Sequence, residues 1–464
     1  MRTVFAVEAL GGIDPTTDAE RLTVRVLRSP FVVDKDKPRV AHPLLLTSQQ
    51  LPDWALPDGV RERGRRVRDS LLHAHPAVAS VMTMLAATPV GQQQPIFVML
   101  SESEAEQICW ETLCDANDKF VALDPRWPVG RIIDPTSAPS RPPSALALPV
   151  RMMALISAFG IKGQAKEWQM LRQAVVGARA AGLPVRLKVV VGETTLRQTI
   201  DAEIAAGLTD VEVAAIDNTP TAVVQTIQEW APNILHCFCH GLSEPGAQWI
   251  ELATAGDYLN PNATSGSVRI DTADLEATGA QLPNPWLLTL NCCSSGQAAK
   301  NLQSMAHQVV AAGFPAAVAM LEPVDAEDAH KFSGAFYRAL FAGIARAADE
   351  LKAQPRAAFE WAEAMVHARK AICDGHQGDA RNAREWALPL LYVRGIEPLS
   401  FERPHAMPEP QANVFKARAR VVAQWLKEVG LQKSEAERLE VIALSLDGVP
   451  KAFWPKTDGT FDTD

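Results

Sequence analysis

The sequence predicts an α/β fold, a mostly parallel central sheet covered by helices on both faces. Two observations carry that expectation. Composition comes first: 47% of the 464 residues are hydrophobic and 21% charged, an ordinary balance for a globular chain with a sizeable core. The second is an alternation that becomes regular from about residue 150. Short runs rich in Val, Ile and Leu take turns with amphipathic helical segments. Strands buried on both faces read as such runs.

Taken in order, the runs at Val150–Ala158, Val185–Val191, Val211–Ile216 and Ile234–Cys239 read as strands. Helical segments near 165–182, 194–206 and 219–231 separate them. Further strands follow at Trp286–Asn291, Ala316–Leu321 and Leu388–Val393, with helices near 272–280 and 297–312 and two long ones between Asp325 and Cys373. Right-handed crossovers would bring the strand C-termini to one edge, where open α/β sheets build their sites.

The N-terminal part predicts strands at Thr3–Ala9, Leu22–Arg28 and Pro95–Leu100 and one Arg-rich helix from about Val60 to Leu85. ETLCD reads as a helix there, and KFVALD as a strand edge. Residues 134–149, rich in Pro and Ser, read as a linker. Residues 413–446 predict two short helices, the second opening on a Ser434–Glu437 capping box; Val421, Trp425 and Val429 would line one face of the first. The expected organisation is an N-terminal α/β region over 1–147, a main domain over 148–400 and a helical extension over 401–464.

A net charge of −9 and a pI near 5.7 argue against general affinity for nucleic acid or anionic membrane. The longest uncharged apolar stretch, Val309 to Leu321, is too short to span a bilayer. The opening MRTVFAVEALGG lacks the apolar core and cleavage site of a secretory signal. A cytoplasmic location is expected. The seven cysteines, Cys109, Cys114, Cys237, Cys239, Cys292, Cys293 and Cys373, are odd in number and do not resemble a secreted disulfide framework.

Two strand ends carry chemistry: ILHCFCHG (Ile234–Gly241) and LLTLNCCSSG (Leu287–Gly296). Each ends an apolar run in a reactive side chain at the rim of a sheet. A thiol becomes a nucleophile only with a base or an electropositive setting, and His240 on an adjacent strand can supply one for Cys293. Backbone N–H groups of Gly241 and Cys293 could hold an oxyanion. Alternation puts His236, Phe238 and His240 on one face and Cys237 and Cys239 on the other. Cys237 and Cys239 then read as packing residues, and His236 as a hydrogen-bonded core histidine. Zinc competes, since the two strands together offer several donors. A C-x-C in a buried strand, and Cys292 facing away from Cys293, do not converge as structural zinc ligands do. No metal or cofactor is expected. Asp217, ending the preceding strand, is a candidate orienting or pocket residue.

These strand ends and their surroundings resemble the CHAT family, caspase-like members of the caspase–separase clan of cysteine peptidases. The strand ending in His-Gly, the strand ending in Cys, two small residues and Gly, and the stretch over residues 303–340 all match its pattern. So do EWALPLLYVRG (385–395) and CWETLCDANDKFVALDPRWPVGR (109–131). The likeness covers roughly residues 90–395. It implies a caspase-like α/β/α sandwich and endopeptidase activity on a protein substrate, with Cys293 as nucleophile and His240 as base. Cys292 falls where the family has Ala, which marks it as a packing residue.

One departure concerns specificity. The family's Asp after Pro-Val is displaced here to Asp325 in LEPVDAEDA. Glu322, Asp325 and Glu327 are candidates for a pocket selecting a basic P1 side chain, although acids opening a helix also serve its dipole. The likeness further implies an activating protein partner and a setting in bacterial conflict, including antiviral defence. Residues 1–147 would be a degenerate second half. The alternative to an enzyme is a catalytically silent scaffold that binds protein partners.

Overall fold

The Val- and Ile-rich runs assemble into one fourteen-stranded sheet in the computed structural model. The structure describes residues 1–13, 20–32, 38–100, 103–133, 144–244, 247–292, 302–403, 409–428, 432–446 and 454–460. In chain order the strands are β1 (Thr3–Ile13), β2 (Glu20–Arg28), β3 (His42–Leu44), β4 (Ile96–Leu100), β5 (Val129–Ile133) and β6 (Ser144–Ala145). Then come β7 (Val150–Ser157), β8 (Val185–Val191), β9 (Val211–Ala215), β10 (Ile234–Glu244), β11 (Ala247–Leu252) and β12 (Val268–Asp271). The last are β13 (Leu287–Leu290), β14 (Ala316–Met320), β15 (Arg356–Phe359), β16 (Pro389–Arg394) and β17 (Leu399–Glu402).

The sheet order is β3-β2-β1-β4-β5-β16-β14-β13-β10-β7-β8-β9, with β11 and β12 continuing from the end of β10. Pairing is mostly parallel: β14-β13-β10-β7-β8-β9 form an unbroken parallel run, as do β1-β4-β5-β16. β14 and β16 meet antiparallel, so the strands of residues 1–133 join the same sheet as those that follow. β4, β13 and β14 are buried at every position, as strands covered on both faces must be. The Gln164–Ala180 and Ala326–Ala353 helices pack together over one face, and the Leu302–Ala312 helix packs over the other. Full burial of each Val, Leu or Ile side chain contributes about 1.5–3 kcal/mol.

Several local expectations give way to chain chemistry. The single helix expected over Val60–Leu85 is two, Gly59–Ala74 and Pro76–Ala86. Pro76 lacks an N–H and disfavours helix at the residue before it; His75 is accordingly extended, and its Nδ1 accepts the Ala77 N–H at 3.0 Å. ETLCD and KFVALD form 3-10 turns and an isolated bridge, Cys114 to Phe120, rather than a helix and a strand edge. β3, β5, β6, β11, β12, β15 and β17 have no counterpart in the sequence reading. Their runs are short, and β11 and β12 alternate only with their antiparallel partners in place.

A buried charge cluster staples the sheet where its two parts meet. Arg131 on β5 makes a two-bond contact with Glu111, at 2.8 and 3.1 Å, and donates to the carbonyls of Glu106 and Ile108. Arg369, on the Trp361–Gly375 helix, lies 3.8 Å from Glu111 and donates to the carbonyls of Val129 and Pro389. All three side chains are fully buried.

Residues 1–403 and 404–464 form separate compact units. In the second, the Glu409–Glu428 and Glu435–Ser445 helices enclose Ala419, Val422, Leu426, Ile442 and Leu446. The Ser434–Glu437 capping box forms as expected. The buried stripe runs through Val422 and Leu426, one residue out of phase with the predicted one; Val421 is 71% exposed, and Val429 lies outside the described residues. Most of the Pro- and Ser-rich linker, 134–143, lies there too. Among the described residues no helix is long and apolar enough to cross a membrane.

Candidate active site

β10 outlasts its neighbours, and that positions His240. The strand pairs in parallel with β7 as far as Cys239 and Ser157, and with β13 as far as Cys237 and Leu290. From His240 onward it pairs antiparallel with β11, beginning with His240 and Glu251. His240 thus stands where the parallel sheet ends, at its carboxyl edge. It is only 9% exposed.

His240 is oriented by a backbone group. Its Nε2 lies 2.6 Å from the Phe159 carbonyl oxygen. A carbonyl can only accept, so Nε2 carries a proton, which leaves Nδ1 as the ring nitrogen that can exchange one. The Phe159 loop is itself held: the ring packs on Tyr258 at 5.2 Å, and Gln164 Nε2 donates to the Tyr258 hydroxyl at 2.8 Å.

The chain after β13 approaches the same place. The Asn291 N–H donates to the Cys237 carbonyl at 2.9 Å, extending the ladder by one bond. Asn291 and Cys292 then point to opposite faces. Asn291 enters the face covered by the Ala326–Ala353 helix, which His236 also occupies, whereas Cys292 packs on the other with its Sγ 3.8 Å from Cys239 Sγ. Residues 293–301 lie outside the described residues, and with them the predicted nucleophile Cys293.

Among the described thiols, four are chemically quiet by burial. Burial, reinforced by Glu111, pushes Cys109 up to about 12, and burial takes Cys114 to about 11. Burial likewise raises Cys237 well above the ordinary value, and Cys373 less strongly. A thiol held in the protonated form is a poor nucleophile. Cys237 and Cys239 are fully buried packing residues, as their strand alternation implied, and they face away from the histidines rather than converging with them on a metal.

Beneath His240 lies a polar cluster built on Glu167. His330 Nδ1 donates to Glu167 Oε2 at 2.6 Å, and Ser333 Oγ donates to Oε1 at 2.5 Å. His236 Nε2 lies 2.9 Å from Oε1, close enough for strong attraction but poorly aligned for a hydrogen bond. The Tyr337 hydroxyl meets His236 Nδ1 at 3.0 Å. His236 is therefore a partnered core histidine. Gly163 is required beside this cluster: its φ is +124°, and a Cβ there would come within 2.6 Å of His330 Nε2.

Burial raises the Glu167 carboxyl, but the close approach of His236 and the hydrogen bond from His330 more than offset that and leave it at about 2. The unfolded chain, with a value near 4.5, therefore takes up this proton more readily than the folded one. The contribution to stability is fully present above about pH 4.5 and is lost as pH falls toward 2, on the order of 3 kcal/mol in all. Urea midpoints measured between neutral pH and pH ~3 should fall more steeply in the wild type than in Glu167→Gln. Parallel curves would contradict the assignment.

The remaining predicted residues all have partners. Gly241 is buried and pairs with Ile250 in the β10–β11 ladder. The Asp217 carboxylate accepts from Thr226 Oγ1 at 2.8 Å; it follows β9, three strand positions from β10, roughly 14 Å by ordinary strand spacing. Glu322 accepts from Arg384 at 2.9 Å. Asp325 caps the Ala326–Ala353 helix by accepting the Glu327 N–H at 2.8 Å. Glu327 pairs with Lys166, whose hydrogen bond holds the carboxyl below its ordinary range. The strand ends of β10, β13 and β14 are neighbours, so Glu322, Asp325 and Glu327 follow the strand next to the one leading to Cys293.

Sequence reasoning missed the Phe159 carbonyl, the Glu167–His330 pair, and Glu251, the buried acid opposite His240 that accepts the Gly266 N–H at 2.9 Å. A backbone acceptor leaves no mark in a sequence, and Glu167 reads there as an ordinary first-turn helix acid.

A comparison with family models matches the CHAT domain over residues 76–394. A comparison with curated proteins gave no match. The match spans well over half of the chain and includes His240 and Cys293.

Proposed function

From the chain's membership of the CHAT-domain family, a caspase-like group related to cysteine peptidases with this α/β/α fold, we propose that it is a cysteine endopeptidase working through Cys293 and His240. One observation carries this reading, the register between β10 and β13. Ile234 pairs with Leu287 and Cys237 with Leu290, and the side chains of Cys239 and Cys292 meet at the same offset. Counted one residue further along the sequence, the same offset would match His240 with Cys293. Since Asn291 points to the His236 face and Cys292 away from it, alternation favours Cys293 over Cys292 as His240's partner.

In this mechanism the Cys293 thiolate attacks the scissile carbonyl carbon. His240, with Nε2–H committed to Phe159, receives the thiol proton at Nδ1 and returns it to the leaving amine. Backbone N–H groups of Gly241 and Cys293 hold the oxyanion. Water then hydrolyses the thioester, restoring the thiol and releasing the acid product. The substrate is a protein. On family resemblance alone, a protein partner licenses cleavage, in a defence or cell-death response.

A thiol-directed peptide probe tests the dyad. Labelling is expected in the wild type and in Cys292→Ala, and is lost in Cys293→Ala and His240→Ala. Labelling that survives Cys293→Ala would favour a silent scaffold that only binds partners. Co-expression with proteins encoded beside the gene, read for Cys293-dependent cleavage, then identifies substrate and activator.

A further inference from the structure

Among the described residues, the ladder between β10 and β13 leads up to the two residues proposed to react. Among the described residues it includes the bond from Asn291 N–H to the Cys237 carbonyl, and His240 stands beyond the last pair that β10 makes with β7. Buried side chains beneath the strand ends add to what holds them in relation to one another.

The buried carboxylate of Glu167 is suited to that task. Asn291 Nδ2 lies 2.8 Å from Ser333 Oγ, 3.0 Å from the Ala329 carbonyl and 3.3 Å from Glu167 Oε1. Three acceptors around one nitrogen fix which way the amide points. Ser333 passes its proton to Glu167 and so is free to accept from Asn291. The same carboxylate attracts His236, four residues before His240 on the same strand and face, and takes a hydrogen bond from His330 on the Ala326–Ala353 helix. Glu167 also lies in the first turn of the Gln164–Ala180 helix, just after the loop whose Phe159 carbonyl orients His240. Every side chain in this cluster is at least 98% buried.

We infer that Glu167 and Asn291 are positioning residues: one buried carboxylate, with the Asn291 amide clamped against it, ties together the His240 strand, the Phe159 loop and the chain entering position 293. The inference rests on the Cys293–His240 reading. Hydrogen bonds converging on one buried carboxylate restrict the side chains that make them, and small displacements of reacting groups are costly in rate. Neither residue touches the substrate or transfers a proton. Their effect is exerted through the placement of Nδ1 of His240 relative to the thiol.

The test is the rate of Cys293 carbamidomethylation by iodoacetamide in the full-length chain, followed by mass spectrometry of the Cys293 peptide as a function of pH. In the wild type the midpoint is expected below the ordinary thiol value of about 8.5, because His240 stabilises the thiolate. Asn291→Ala and Glu167→Gln should raise that midpoint by about one unit and cut the rate near pH ~6.5 about tenfold, with the plateau at high pH unchanged. Ser333→Ala, a milder change, should fall between and serves if Glu167→Gln does not fold. A wild-type curve that His240→Ala does not move would sink the dyad and this inference together. A curve that His240→Ala moves but the folded Asn291→Ala and Ser333→Ala variants leave in place would sink this inference alone, since a purely structural role lowers thermal stability without shifting the midpoint.

Discussion

Replacing Glu111 with alanine is expected to destabilise residues 1–403 by about 3–5 kcal/mol, the usual cost of leaving buried charge without its partner. That is a large share of the roughly 5–15 kcal/mol by which domains are stable. Glu111 is the only acid in contact with both Arg131 and Arg369 among the described residues, and all three side chains are fully buried. The cluster carries one more positive than negative charge, since Cys109 stays protonated at a pKa of about 12. Four backbone carbonyls, those of Glu106, Ile108, Val129 and Pro389, each accept a further guanidinium N–H, while Arg369 Nε has no hydrogen-bond partner among the described residues. Without Glu111 the two guanidinium groups face each other across a dry gap. Burial favours an uncharged carboxyl here, yet Arg131 and Arg369 keep Glu111 below the ordinary range, so Glu111→Gln should also lose stability, though less than alanine. Urea denaturation followed by circular dichroism measures the difference; a loss under about 1 kcal/mol would show that water or local rearrangement replaces the carboxylate. Because Arg131 lies on β5 and Arg369 donates to the first residue of β16, unfolding should involve both parts of the sheet at once.

How much of this was readable beforehand depends on the kind of force involved. The parallel strands from β7 to β14 were legible because a strand buried on both faces needs a continuous apolar run, which ILHCFC and WLLTLN supply. β11 and β12 were not, because AQWIEL and VRID acquire their pattern only against each other and the end of β10. His240 was legible as the polar end of such a run followed by Gly241. The acidic residues near 322–327 were legible as a group, but not their partners: Arg384 and Lys166 come from distant segments. Glu167 and Glu111 look like surface acids within AKEWQ and WETL. Only tertiary packing reveals that the first faces two buried histidines and the second two buried arginines, since these partners lie up to about 260 residues away in sequence.

His240→Ala is expected to lower Cys293-dependent peptide hydrolysis roughly 10²–10⁴-fold, the range that a positioned general acid–base supplies. The hydrogen bond from Nε2 to the Phe159 carbonyl makes the prediction more specific. With Nε2–H committed, all proton traffic passes through Nδ1, and a replacement must put a basic atom at that position to work. His240→Gln can keep an N–H for Phe159 but offers no basic nitrogen, so it should be as impaired as alanine. Imidazole added at high concentration should partly restore His240→Ala, whose substitution opens a space at a nearly enclosed site, and leave Cys293→Ala inactive. Cys292→Ala should keep most of its activity, because that thiol packs against Cys239 on the opposite face. A rate within tenfold of wild type in His240→Ala would mean the thiol needs no neighbouring base, and the pairing of positions 240 and 293 would lose its chemical meaning. Rescue of His240→Ala without rescue of His240→Gln would instead tie the lost rate to a missing base in a cavity of the right size, which is what an imidazole fixed by a single carbonyl leaves behind.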